Sequence, residues 1–234
     1  TTSDVCVDPS GEVAYVTSSD TIHQINMADG AVQVFFTTQA SALWGCVVSN
    51  DGFLVYSDLA AIHEVSISDP TDTFSYSNTA NCYVSPVISA DNHIYYPDNS
   101  QNKIYKVDRS SRSNTRQFVA GDGTGASGEG TDSSSSFKSP RGLALSSDGN
   151  FLYVTSYNAI MQINLAGDPD ANNYVTKVAG QLGYTGHGFV NGDADTAKFN
   201  FPVGLDIEPN DAYLLTGELY TNSVRKISLA TTYR

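Results

Sequence analysis

Four histidines, two short acidic runs and one glycine string are where this sequence could do chemistry. His23 and His63 sit in matching contexts, Thr-Ile-His-Gln-Ile-Asn and Ala-Ile-His-Glu-Val-Ser. Imidazole can hold a metal or a proton near neutrality, but a metal needs several ligands converging within tight distance limits. The corresponding positions further along hold Tyr105, Met161 and Arg225, so these histidines are expected on a surface or between repeats. Gly123-Thr124-Gly125-Ala126-Ser127-Gly128 matches the G-x-G-x-x-G of dinucleotide sites. That string works only between a strand and a helix N-terminus, whereas Glu129, Asp132 and a serine run follow it here. Asp168-Pro169-Asp170 and Asp193-Ala194-Asp195 offer the hard oxygen ligands that calcium takes, without EF-hand spacing. Calcium is the one ion the loops suggest, and no other cofactor is expected. Ser, His and Asp all occur, but no Gly-x-Ser-x-Gly elbow links them, and no catalytic residue is assigned.

Twenty-five acidic against twelve basic residues give a formal net charge of −13, which repels phosphate backbones and anionic headgroups alike. Nucleic acid is therefore not an expected partner; Arg109, Arg112 and Arg116 form the one basic cluster that could oppose this reading. No apolar run reaches the roughly eighteen residues of a membrane span, so direct membrane insertion of this segment is not expected. The chain opens Thr1-Thr2-Ser3 without an initiator Met, as a processed chain or a piece of a longer one would. Only 16% of residues are charged while Ser, Thr, Asn, Gly and Tyr abound, a surface style of secreted and cell-surface proteins. Cys6, Cys46 and Cys82 allow at most one internal bridge; a bridge and buried free thiols both stay open. No Asn-X-Ser/Thr acceptor occurs, so N-glycosylation is not expected.

The elements that must position these residues come from repetition. A hydrophobic stretch, a turn and a second β-rich stretch recur as VCVDPSGEVAYVTSSD from Val5, CVVSNDGFLVYSD from Cys46, VISADNHIYYPD from Val87, LALSSDGNFLYVTS from Leu143 and LDIEPNDAYLLTGE from Leu205. The turns fall at Gly11, Gly52, Asn92, Gly149 and Asp211, the chemistry of a hairpin. A third alternating segment follows each, and a fourth follows in the first four copies. The helical period is absent. Four-stranded antiparallel units that cannot bury both faces alone stack face to face, which is a β-propeller. Longer intervals before the fourth and fifth turns hold two loops, GDGTGASGEGTDSSSSF and GQLGYTGHGFVNGDADTAKF.

Val119-Ala120-Gly121 leads to Phe137, Pro140-Arg141-Gly142-Leu143, Asp148-Gly149 and Leu152-Tyr153-Val154; Val178-Ala179-Gly180 leads to Phe199 and Pro202-Val203-Gly204-Leu205. In these motifs, and in Val224-Arg225-Lys226-Ile227, the chain resembles NHL-repeat proteins, strongly in the last two copies and less so toward the N-terminus. YWTD-type propellers are the near alternative. The resemblance implies an all-β propeller with five repeats visible, as part of a six-bladed ring. The expected organisation is a single domain over 1–234 with blades at about 3–38, 43–79, 83–121, 139–180 and 201–234, the last lacking its fourth strand and needing a cap.

Propeller enzymes of the lactonase and amidating-lyase kind place metal ligands on innermost strands. Those strands read Cys6, Val47, Val87, Ala144, Asp206 and Asp4, Gly45, Ser85, Gly142, Gly204. Asp4 and Asp206 are candidate axial carboxylates, and two acids without a third ligand suit no metal well. Tyr184, His187 and Phe189 in the second long loop are the candidate partner-binding residues, and the first long loop, rich in Ser and Gly, is expected to be flexible. The functional expectation is a non-catalytic interaction, adhesion or assembly module, extracellular or at the cell surface, contacting a protein partner or a neighbouring copy. Its style is closest to NHL-type surface proteins that join flagellum to cell body in flagellated protists. The alternative is a propeller hydrolase or lyase with ligands outside this segment.

Overall fold

The computed structural model describes residues 2–39, 42–76, 85–183 and 186–229. Its first sheet is β1 (Thr2–Val7), β2 (Val13–Ser18), β3 (Thr21–Asn26) and β4 (Val32–Thr37). The second is β5 (Leu43–Val48), β6 (Phe53–Asp58), β7 (Ile62–Ser66) and β8 (Thr73–Tyr76). The third comprises β9 (Val87–Ile88), β10 (His93–Asp98), β11 (Lys103–Asp108) and β12 (Arg116–Ala120). β13 (Pro140–Leu145), β14 (Phe151–Ser156), β15 (Ala159–Asn164) and β16 (Val175–Gly180) form the fourth. β17 (Pro202–Ile207), β18 (Tyr213–Glu218) and β19 (Ser223–Ser228) form the fifth. Strands pair in simple sequence order within each sheet. The fold is all-β, of the propeller class, and no helix occurs among the described residues. A fourth strand for the last blade would fall on residues outside those described.

Each first hairpin turns where the repeats place it. Gly11, Gly52, Asn92, Gly149 and Asp211 all have positive φ, between 57° and 84°, the left-handed region open to Gly, Asn and Asp at least cost. The amide of each donates to the carbonyl three residues back, at Asp8, Ser49, Ser89, Ser146 and Glu208.

Two compact units contain these sheets: Thr1–Tyr96 with Lys106–Gln117, and Pro97–Tyr105 with Phe118–Arg234. Residues of the third sheet are divided between both. In the first unit, blade 1 lays its leading face, with Tyr15 and Ile22, on the receiving face of blade 2, with Cys46, Leu54, Tyr56 and Val65. A disulfide between Cys6 and Cys46, with Cα atoms 5.7 Å apart, crosses this junction. The free-thiol alternative is thus excluded for these two; Cys82 lies outside the described residues.

The second unit repeats the packing with Ala144, Tyr153, Ile160 and Ala179 of blade 4 against Leu214 and Ile227 of blade 5. Here the Val-Ala-Gly motif acquires a physical reason. Gly180 has φ +99°, and a Cβ there would stand 2.4 Å from the Asn158 carbonyl oxygen and 2.8 Å from the Phe199 ring. Only a residue without a side chain lets Phe199 fold back as a plug, 2% exposed. Gly121 and the fully buried Phe137 form the same pair one blade earlier. The first long loop is consequently not the flexible segment expected from its composition. Ser127, Ser135 and Ser136 are buried, Gly128 bridges to Ser136, and Gly130 bridges to Val175.

Candidate functional site

Within the first unit a cavity of about 560 Å³ opens where the end of β4 meets blade 2. Its walls include the Phe36, Tyr56 and Phe74 rings, Gln39 and the hydroxyls of Thr37 and Thr73. Register dictates its centre. Tyr56 on β6 opposes His63 on β7, and His63 opposes Ser75 on β8, so one row across the blade carries all three side chains on one face.

His63 is held at both nitrogens. Nε2 lies 3.0 Å from Asp58 Oδ2, and Nδ1 lies 2.8 Å from Ser75 Oγ. The Tyr56 ring stacks on the imidazole at 4.9 Å between centroids. Asp58 ends β6, where its other oxygen accepts the amides of Ala60 and Ala61, each at 2.7 Å. Burial pushes the Asp58 carboxyl up, but His63 and those two amides more than offset it and hold it below its ordinary value. Burial and the neighbouring Asp58 charge push the Tyr56 phenol up. With Asp58 ionised, a neutral imidazole carries its proton on Nε2, and only in that tautomer does Nδ1 accept the Ser75 hydroxyl proton. The row is thus a Ser–His–Asp relay at the edge of an aromatic-walled cavity.

Sequence reading noticed His63 but set it aside, and did not single out Asp58 or Ser75. A signal was present: among the five copies, only the second combines an acid ending the second strand, a histidine on the third and a serine opposite it. Asp98 and Glu218 also end second strands, and each caps the turn that follows through Ser100 and Gln101, or Thr221.

Two of the three arginines in the basic cluster named from sequence, Arg109 and Arg112, are tied into ion pairs. Glu64, 1% exposed, receives Arg109 Nε and Arg112 Nε at 2.8 Å each. Asp51 and Asp72 take the remaining reach of the two guanidinium groups, again at 2.8 Å, and both stack over Phe53. In the second unit, Glu218 and Arg225 pair at 3.1 Å. Arg225 also donates to the carbonyls of Val190 and Lys198 and to Asn191.

This anchor decides the posture of the second long loop. Phe189 lies with its ring 4.7 Å from the Arg225 guanidinium carbon and Phe199 lies at 4.9 Å, yet Phe189 stays 55% exposed. His187 is exposed, and Tyr184 falls outside the described residues. Asp4 accepts the Cys46 amide at 3.0 Å and the Ser85 hydroxyl; Asp206 is exposed and accepts the Ile207 amide at 2.9 Å. Asp168 and Asp193 accept amides two and three residues ahead as turn caps. Among the described residues no three His, Cys, Asp or Glu side chains gather into a set that could hold a metal, and no helix is long and apolar enough to cross a membrane.

No protein-family model and no curated protein matches the chain. In structure it is similar to an auxiliary nutrient binding protein from Bacteroides thetaiotaomicron, with 16% identity, 97% of this chain and 58% of that chain covered, and a TM-score of 0.77. It is likewise similar to a chain of the nidogen/laminin complex, with 15% identity, coverage of 97% and 76%, and a TM-score of 0.71. A virginiamycin B lyase from Staphylococcus aureus follows with 16% identity, coverage of 99% and 71%, and a TM-score of 0.59. These likenesses establish the β-propeller fold alone. The chain spans little more than half of the nutrient binding protein; binding proteins and a lyase both stand among its likenesses.

Proposed function

We propose that this chain is a non-catalytic recognition module of an extracellular or cell-surface protein, taking a neutral, hydroxyl-rich ligand such as an oligosaccharide in the His63 cavity. The observation that carries this reading is the lining. Three aromatic rings are combined with hydroxyls, one amide and the His63 relay, and no lysine or arginine takes part. Rings supply apolar faces for sugar C–H groups, and the polar groups fix orientation. The Cys6–Cys46 bridge supports an oxidising compartment, and the structural likeness to a nutrient binding protein is in keeping with ligand capture. Saturation-transfer NMR with a panel of neutral disaccharides tests the reading. Transfer should be seen for at least one sugar, vanish in Phe74→Ala and persist in Phe189→Ala. Silence across the panel, or indifference to Phe74→Ala, would overturn it.

The relay favours a second reading, acyl transfer. In it the Ser75 oxygen bonds to an ester carbonyl as its proton passes to His63 Nδ1, and the alcohol leaves with that proton. Labelling of Ser75 by a fluorophosphonate, abolished by His63→Ala, would favour this reading over simple binding.

A further inference from the structure

We infer that Ser75 is the specificity-determining contact of the His63 cavity, a fixed hydrogen-bond acceptor that selects ligands offering a hydroxyl there and rejects those offering an ether. Asp58 sets this polarity through His63, as a positioning residue. The inference rests on the reading that the cavity takes a hydroxyl-rich ligand, and it names the group that such a ligand must present.

Polarity begins at Asp58. Its Oδ1 accepts two donors that cannot be exchanged, the Ala60 and Ala61 amides, each at 2.7 Å. Oδ2 is left facing His63 Nε2 at 3.0 Å. The carboxyl is held below its ordinary value, so at neutral pH it is ionised and only accepts. The neutral imidazole then carries its proton on Nε2, and the bare Nδ1, 2.8 Å from Ser75 Oγ, takes the hydroxyl proton of Ser75. Ser75 is exposed on the cavity wall with its lone pairs remaining, and no other group hydrogen-bonds to its Oγ among the described residues. A ligand hydroxyl meets this oxygen by donating. A methyl ether has no proton to give and sets lone pair against lone pair. Elsewhere in the lining, the Thr37 and Thr73 hydroxyls rotate and the Gln39 amide carries both a donor and an acceptor, so they meet either kind of oxygen. Among these groups Ser75 is the one whose proton is already committed.

Asp58→Asn inverts the arrangement. The oxygen of the new amide stays with the Ala60 and Ala61 amides, since an NH2 group there would face two donors. Its NH2 group therefore points at His63 and donates to Nε2, which must be bare to receive it. The neutral ring then carries its proton on Nδ1, the same change of tautomer that an amide in place of the acid imposes on a Ser–His–Asp triad. Nδ1 donates to Ser75 Oγ, and the serine proton is released toward the cavity, where it meets an ether oxygen as well as a hydroxyl.

Two measurements on the full-length protein test this. Ring-nitrogen NMR of the neutral imidazole, with the His63 signals assigned by their loss in His63→Ala, should show the proton on Nε2 in the parent and on Nδ1 in Asp58→Asn. NMR titrations then compare a panel of neutral disaccharides with their mono-O-methyl ethers. In the parent, methylation at one hydroxyl of a bound sugar should weaken binding about five- to tenfold, the worth of one hydrogen bond. Asp58→Asn should remove that penalty by strengthening the ether, and Ser75→Ala should remove it by weakening the hydroxyl form; a purely steric penalty would be equal in all three proteins. Such an equal penalty, or a proton on Nδ1 in the parent, would overturn the inference while leaving sugar binding intact. Binding by no sugar would overturn it together with the reading on which it rests.

Discussion

His63 and Met161 occupy the same place in the second and fourth blades, each on a third strand opposite a central-strand residue, Tyr56 or Val154. Around His63 stand Asp58 and Ser75; around Met161 the matching positions are Ser156 and Lys177. Met161 is fully buried, whereas His63 borders a cavity. Behind them, Glu64 of blade 2 gathers two arginines, and blade 4 has Gln162 in its place. One backbone thus serves two purposes. Blade 4 is held by apolar packing, while blade 2 gives up part of that packing for polar groups that hold one another.

Removing Glu64 would break this comparison most severely. Glu64→Ala strips Arg109 and Arg112 of their shared buried carboxylate, and loss of one partner from such a network costs about 3–5 kcal/mol. Urea denaturation should show this loss, and a cost below about 1 kcal/mol, the size of a surface pair, would mean that blade 2 is not held by its ions. Next in size comes a matched pair of truncations. Met161→Ala leaves a buried cavity worth about 2–4 kcal/mol, and His63→Ala removes a partly solvated hydrogen-bonded ring worth about 1 kcal/mol. Equal costs would erase the distinction between the blades.

The smallest effect is a pH dependence. Because the folded Asp58 carboxyl is held below its ordinary value of 3.8, its charge stabilises the protein above that pH, and the contribution is lost as pH falls through the lowered value. The stability difference between the parent and Asp58→Asn should therefore be present at neutral pH and shrink below pH 3.8. A difference constant down to the acid limit would detach Asp58 from the relay.

Much of the architecture was legible from residues close together in sequence. Alternating apolar positions, with Gly, Asn or Asp at each turn, specify a hairpin within about a dozen residues, because strand pleat and positive φ are local properties. The five-fold recurrence of Gly11, Gly52, Asn92, Gly149 and Asp211 then implied stacked blades. Even the Gly180 and Phe199 motif could be recognised as a pattern, although its cause, a ring lying where a Cβ would be, became visible only in the folded chain.

What required tertiary structure was the identity of partners. Arg109, Arg112 and Arg116 read as a basic cluster, yet Glu64, 45 and 48 residues from the first two, pairs with both of them, together with Asp51 and Asp72. Cys6 and Cys46 could each have been a buried thiol until the faces of blades 1 and 2 brought them together across 40 residues. The relay needed register, which places Ser75 opposite His63 and turns the end of β6 back toward it. The physical reason is common to all three. Alternation says which side of a strand a residue occupies, but which blade meets that side is settled by packing between segments far apart in the chain, and that packing leaves no mark within any one repeat.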